Sequence, residues 1–325
     1  MQNINNLKGK KAVVTGGAGF IGSHIVDHLV SLGAEVTVID NLRTGSLTYI
    51  EDLGSKITFL QGDILETAKI TRAAEGAEVL FHLAANADVR GGMNNTYIDL
   101  RENVEGTHSV LEAARHCGVK AFVFASSATV YGEPSTFPTS EENPLLQTSV
   151  YGASKLAAEA YIQAYTEYFS IPSYIFRFVS WIGERYSHGV IFDFVKKLFR
   201  DAHSLEILGD GSQKKSYLYV KDGVSGIFHA LEKSKEGKNI FNLGHDEWMN
   251  VTILADIVCE EMALKDVSYR YTGGKRGWIG DSPFVHLDTS RLKSLGWKPA
   301  TSIEEGIRRT VRYLLQHREL LTARD

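Results

Sequence analysis

Eight residues, Thr15-Gly16-Gly17-Ala18-Gly19-Phe20-Ile21-Gly22, constrain this chain more than any others, because they join an apolar run at 11–16 to a stretch of helical period at 21–32. Gly16 permits a tight turn, Gly19 lets backbone approach a pyrophosphate, and Gly22 allows the helix to pack closely on the strand. Free N–H groups at the helix start, with Phe20 and Ile21 in its first turn, then meet the anion. The spacing is GxxGxxG, and its context gives it weight. Asp40 stands at the end of the next apolar run, where a carboxylate accepts hydrogen bonds from ribose hydroxyls and repels a 2′-phosphate. The cofactor expected is NAD rather than NADP, with Arg43 read as a loop residue at the surface.

Apolar runs of strand character at 11–16, 35–40, 57–60, 79–83, 120–126 and 173–178 alternate with helical patterns, clearest at 21–32, 99–117 and 151–169. Strands separated by such helices imply right-handed crossovers and a parallel sheet covered on both faces. After about residue 180 the alternation loosens into helical patterns at 190–200, 222–233, 251–262 and 302–315, a Gly-Asp-Gly turn at 209–211 and an apolar run at 239–243. The expected fold is α/β: a doubly wound parallel (Rossmann) sheet over 1–179 and a smaller C-terminal substrate-binding lobe over 180–325. The boundary is fuzzy, its segments are free to interleave, and a cleft lies between the parts.

At 325 residues, with 43% hydrophobic and 23% charged residues, neither a disordered chain nor a membrane bundle fits. Thirty-five Lys and Arg against 39 Asp and Glu leave a charge of −4 with no basic run, so nucleic acid is not an expected partner. Cys117 and Cys259 stand far apart, outside any CxxC, and His24, His108, His188 and His229 share no ligand spacing. Neither a disulfide framework nor a metal is expected. The polar start at 1–11 and the lack of about 18 consecutive apolar residues predict a cytoplasmic protein with no membrane span.

Three further groups fall at the carboxyl edge of the expected sheet, where α/β proteins bind ligands. Gly62-Asp63-Ile64 follows the third strand, Asp63 lying where adenine would be met, and His82-Leu83-Ala84-Ala85-Asn86 ends the fourth, its small residues leaving room for a cofactor. Ser126-Ser127-Ala128-Thr129 ends the fifth strand, where hydroxyls serve equally as turn caps or ligand contacts. Tyr151 and Lys155, four apart, share one helix face. A phenol of pKa about 10 is a poor base, but a neighbouring ammonium and an oxidised nicotinamide both stabilise the phenolate, which makes Tyr151 a proton acceptor.

These residues together resemble the extended short-chain dehydrogenases/reductases, and within them the nucleotide-sugar 4-epimerases. The resemblance runs nearly end to end. It rests on TGGAGFIG at 15–22, Asp40-Asn41, Gly62-Asp63-Ile64, HLAA at 82–85, Asn103 in NVEGT, SSATVYG at 126–132 and YGASK at 151–155. It implies that Tyr151 is the base, that Lys155 binds the nicotinamide ribose and tunes Tyr151, and that Ser127 orients the sugar. Ile64, Leu83, Ala84, Ala85, Asn41 and Asn103 would join the cofactor site. The implied reaction is inversion of C4′ of a UDP-hexose through a 4-keto sugar, with UDP-glucose and UDP-galactose the expected pair. Helices 99–117 and 151–169 would form a homodimer.

Related 4,6-dehydratases carry an acidic pair where this chain has Ala128 and Thr129, and UDP-glucuronate decarboxylases usually show a Glu in this stretch. A methyl group and a neutral hydroxyl do not expel a 6′-hydroxyl as water, so dehydration is not expected. In the lobe, Ser180 stands where relatives often have Asn, and Lys215 stands where bacterial relatives have Arg. Arg276 and Asp281 resemble the residues that contact diphosphate and ribose, although the interval between them is longer than in the bacterial pattern. Val285 replaces a bulky Tyr and leaves space for a 2′-acetamido group. Arg185 is the nearest cation for a C6′ carboxylate. UDP-glucuronate and UDP-N-acetylglucosamine are therefore alternative substrates, and a non-catalytic NAD sensor is the alternative of another class.

Overall fold

The computed structural model describes residues 7–234 and 236–322, so the first six residues of the polar start lie outside it. Seven strands form one parallel sheet: β1 (Lys11–Thr15), β2 (Glu35–Asp40), β3 (Ile57–Gln61), β4 (Ala77–His82), β5 (Ala121–Ser127), β6 (Ser173–Phe178) and β7 (Lys238–Leu243). Their order is β7-β6-β5-β4-β1-β2-β3. The order reverses between β1 and β4, which opens a crevice outside their carboxyl ends.

Period-two alternation divides the core. Ala12, Val14, Val38, Phe81 and Val123 face helix α1 (Phe20–Ser31), whereas Val13, Ile39, Leu80 and Phe122 face α2 (Thr67–Ala74), α3 (Gly106–His116) and α4 (Val150–Phe169). The lobe contributes α5 (Val190–Arg200), α6 (Val220–Lys233), α7 (Val251–Glu261), α8 (Ile303–Gln316) and several strands of two to four residues. Its apolar residues, among them Leu218, Ile227, Leu254 and Val311, continue the α1-side core without interruption. Among the described residues no helix is long and apolar enough to cross a membrane, and no cluster of metal-ligating side chains occurs.

Two expectations need correction. The run at 239–243, assigned to the lobe, pairs in parallel with β6 from Lys238↔Ser173 to Leu243↔Phe178 and completes the main sheet. Residues 180–237 are thus an excursion from the sheet, which the loosened alternation concealed. The single helix expected at 99–117 is broken into a short helix, Thr96–Asp99, a π-helical turn, Leu100–Glu105, and α3. The π turn contains Asn103, and such insertions gather at functional positions.

Candidate active site

The glycine turn is built to admit no side chain of its own. Gly16 has φ +72°, and a Cβ there would lie 2.7 Å from the Ala84 backbone nitrogen; one on Gly22 would lie 2.0 Å from the Gly16 carbonyl oxygen. Gly19 caps α1 with no side-chain hydrogen bond, and no acid occupies the first turn. Unshielded N–H groups and a positive helix end therefore face the crevice, as a pyrophosphate requires. Phe20 turns inward instead, edge-on to Tyr186 at 5.5 Å, and Ile21 packs against the same core, so both anchor the helix start.

Asp40 is buried. Its Oδ2 accepts the Ala18 N–H at 3.0 Å and its Oδ1 that of Leu42 at 2.8 Å, tying the glycine turn to the end of β2. Burial raises its pKa against these two donors, and each oxygen retains a second acceptor site for a ribose. Arg43 is committed to Glu102 at 2.9 Å, a partner invisible in the sequence. Asn41 donates to Asp63 Oδ2 at 2.9 Å while Asp63 Oδ1 accepts the Leu65 N–H, so Asp63 joins the loops after β2 and β3. Ile64 is buried against Gly106.

At the end of β4, hydrogen bonds run in a single direction. The Thr107 hydroxyl donates to the Asn103 carbonyl at 2.6 Å, so it accepts from His82 Nε2 at 3.0 Å, and His82 Nδ1 accepts the Thr15 hydroxyl at 2.8 Å. Burial, with Lys155 nearby, pulls His82 down to about 3, which keeps it neutral. Leu83 and Ala84 donate to the Thr15 carbonyl, and Ala85 leads into Asn86. The Asn103 amide accepts the Asn86 N–H at 2.8 Å and donates to the Ser154 hydroxyl on α4 at 2.9 Å. It thereby ties the loop after β4 to α4, the helix that carries Tyr151 and Lys155.

Tyr151 and Lys155 lie in the first turns of α4, whose start is capped by Ser149 accepting the Gly152 N–H at 3.0 Å. Burial pushes Tyr151 up to about 12; the Ser127 hydroxyl, donating to the phenol oxygen, works against this, and the charge of Asp99 adds to it. Burial draws Lys155 down to about 8, with Asp99 and then Glu159 holding it up. The Lys155 ammonium donates to the Ala125 carbonyl at 2.9 Å and lies 4.9 Å from the centre of the Phe124 ring. Ser127 also caps the 3₁₀ turn Ala128–Tyr131 by accepting the Thr129 N–H, so cap and site contact coexist. The Thr129 hydroxyl is buried with no hydrogen-bond partner, a group for a ligand to satisfy.

Beneath the site, Glu159 is bound by Arg177 through Nη2 at 2.8 Å and Nε at 3.1 Å and by the Ser126 hydroxyl. Arg177 also donates to Tyr131 at 2.9 Å. Asp99 is wholly buried: its Oδ1 accepts from Asn86 at 2.8 Å and Asn103 at 3.3 Å, and its Oδ2 has no partner. The sequence reading placed His82 at the sheet edge without a role and missed Asp99 and the Glu159–Arg177 pair. The spacing of Asp99 four residues before Asn103 is a usable signal, whereas the other partners meet across the fold.

In the lobe, Lys215 pairs with Asp281 at 2.5 Å and faces the Trp278 ring at 5.0 Å, so two of the expected substrate residues meet. Asp281 Oδ2 also accepts the Gly277 N–H. Arg276 pairs with Glu133 at 2.6 Å, and Ser282 donates to the Gly132 carbonyl, carrying this segment across to the turn after β5. Val285 lies beside Lys215 in a short parallel pair, and Ser180 is exposed at the start of Ser180–Ile182. Arg185 donates through Nη1 to Asp27 on α1 at 2.7 Å.

Residues 12–244 match the NAD dependent epimerase/dehydratase family. A putative UDP-glucose 4-epimerase of Methanocaldococcus jannaschii is 35% identical over 308 residues, covering 93% of this chain and 97% of the relative. A crystal structure of UDP-galactose 4-epimerase superposes with a TM-score of 0.86 at 37% identity, covering 94% of this chain and 99% of the other. UDP-N-acetylglucosamine 4-epimerase from Methanobrevibacter ruminantium M1, solved with UDP-N-acetylmuramic acid, superposes at 0.87 with 28% identity, covering 95% and 99%. With an open glycine cradle, Asp40 and the Tyr151–Lys155 pair on one sheet edge, the chain is an enzyme that uses NAD and belongs to the NAD dependent epimerase/dehydratase family.

Proposed function

We propose that the enzyme interconverts UDP-glucose and UDP-galactose by inverting C4′ of the hexose. NAD held on the glycine turn supplies reversible acceptance of the hydrogen at that carbon. Tyr151 takes the 4′-hydroxyl proton and later returns it, the Ser127 hydroxyl holds the same oxygen, and the Lys155 ammonium favours the phenolate. The 4-keto sugar turns within the cleft before its other face is reduced. The observation that carries this reading is the grouping of Tyr151, Ser127 and Lys155 beside a turn whose Ala128 and Thr129 offer no acid to expel a second hydroxyl. The similarity to the putative UDP-glucose 4-epimerase and to the UDP-galactose 4-epimerase structure supports it.

Val285 favours a second reading, UDP-N-acetylglucosamine, because a small side chain beside Lys215 leaves room at C2′. UDP-glucuronate is less favoured, since Arg185 would have to leave Asp27 to meet its carboxylate. A non-catalytic NAD sensor has no use for a tuned base. Purified protein incubated with each UDP-sugar and followed by proton NMR tests all of these. The expected result is one equilibrium mixture reached from UDP-glucose or UDP-galactose without consumption of added reductant. Conversion of the N-acetylated sugar alone selects the second reading; conversion of neither sugar type overturns both.

Tyr161, Tyr168 and Phe169 are exposed along α4, and a second copy of the chain would cover them. Sedimentation equilibrium then gives a dimer. The cytoplasm is the proposed compartment, with Cys117 and Cys259 both free.

A further inference from the structure

Ser126 on β5, Arg177 on β6 and Asn242 on β7 are cross-strand partners, so three polar side chains form one row across the sheet, on the face that α4 covers. All three are buried, as are Glu159 and Tyr131, which complete the cluster. A buried ion pair is weak evidence of stability, so the use of Glu159 and Arg177 lies in what they fix. They hold both ends of one short segment. Upstream, the Ser126 hydroxyl donates to Glu159 Oε1, and Arg177 grips the same carboxylate through Nε at 3.1 Å and Nη2 at 2.8 Å. Downstream, Arg177 Nη1 donates to the Tyr131 hydroxyl at 2.9 Å, and that hydroxyl donates to Asn242 Oδ1 at 2.7 Å. Asn242 is fixed in turn, its Nδ2 donating to the carbonyls of Thr139 at 2.8 Å and Asp288 at 3.0 Å. Between the ends lie only Ser127, Ala128, Thr129 and Val130. A Cβ on Gly152, the residue after Tyr151, would lie 2.7 Å from the Thr129 carbonyl oxygen, so this turn rests directly on the start of α4.

We propose that the Glu159–Arg177 pair positions Ser127: by holding Ser126 on one side and, with Asn242, Tyr131 on the other, it fixes the turn so that the Ser127 hydroxyl meets the Tyr151 phenol. The five residues of the cluster are positioning residues and touch no reacting atom. This rests on the reading of Ser127 as the group that holds the reacting oxygen beside Tyr151. The cap inside the turn, Ser127 accepting the Thr129 N–H at 3.2 Å, shapes the turn without placing it against α4. The cluster does the placing, because α4 itself supplies Tyr151, Lys155 and Glu159 at intervals of four, and the last two bind the Ala125 carbonyl and the Ser126 hydroxyl. A rigid, two-pronged guanidinium suits such a task, since its donors leave in fixed directions. β7 thereby has a use beyond covering β6: it carries Asn242 beneath a tyrosine 111 residues upstream.

Ser126→Ala and Tyr131→Phe each release one end of the turn and leave Glu159 with Arg177. The readout is the Tyr151 resonance in NAD-loaded protein labelled with 13Cζ-tyrosine, assigned by its absence in Tyr151→Phe. Ser127→Ala marks where this resonance goes once the donor is lost. Each of the two variants is expected to move it toward that position, and neither to move it further once Ser127 is Ala. A resonance that stays in place in either folded variant overturns the proposal. So does a shift of equal size in the Ser127→Ala background, which would mark a general structural role, and so does a Ser127→Ala protein whose Tyr151 resonance is unmoved. Should one variant not fold, the other decides. In the conversion assay kcat is expected to fall about threefold to tenfold in each variant with KM nearly unchanged, and no further in the Ser127→Ala background. The resonance needs no sugar, so failure of the UDP-hexose assignment is read separately, in the conversion assay on the parent.

Discussion

At the carboxyl edge of the sheet Lys155 and Glu159 are 3% and 0% exposed, whereas in the lobe the side chains of Lys215 and Arg276 keep 22% and 46% of their surface in water. The first pair sits where charges interact strongly and every partner must be fixed in advance; the second sits where solvent screens. Arg276 holds Glu133 in a pair open to water, whereas Lys215 holds Asp281, a carboxylate only 4% exposed that also accepts the Gly277 N–H. Under the proposed function the first region is preorganised for proton transfer, and the Arg276–Glu133 end of the second is open to exchange of ionic partners.

The largest effect expected from this contrast is at Tyr151. Tyr151→Phe keeps the buried ring, so NAD content and melting temperature hold while sugar conversion falls roughly 10³- to 10⁴-fold, ~4–5 kcal/mol of barrier. A loss under tenfold in the NMR assay would break the comparison at its stronger end.

His82 sharpens it next. Its pKa is 6.5 when unfolded and about 3 when folded, so between these values the unfolded chain binds more protons. Stability is therefore intact above pH 6.5 and declines as pH falls toward 3, by roughly 2 kcal/mol from pH 6.5 to 5. Urea unfolding at pH 7 and pH 5 measures this, and His82→Gln is expected to flatten the difference. The smallest effects belong to the lobe. Lys215→Ala raises KM about tenfold with kcat nearly unchanged, and Arg276→Ala raises it about threefold, both fading in high salt. Equal losses of kcat would show that the lobe, too, is preorganised.

What was legible in the sequence follows the same divide. The glycine turn, Asp40 and the Tyr151/Lys155 interval are local patterns whose spacing dictates geometry. His82 with Thr15 and Thr107, Glu159 with Arg177, and Arg185 with Asp27 are pairings made by the fold, between residues too far apart in sequence for any periodicity to mark. The π turn at Leu100–Glu105 escaped because one extra residue barely disturbs an apolar stripe. The run that forms β7 was seen but assigned to the lobe, because the short strands and helices between β6 and α6 hide its return to the main sheet.

That last strand governs how the polypeptide can be divided. All six residues of β6 are buried, and β7 covers its outer side. A fragment ending at 179 would leave β6 as a bare apolar margin, a template for intermolecular pairing and insolubility. During synthesis the same margin waits until residue 243 has emerged. Any effort to isolate the nucleotide-binding half by truncation must retain that returning segment or supply a substitute.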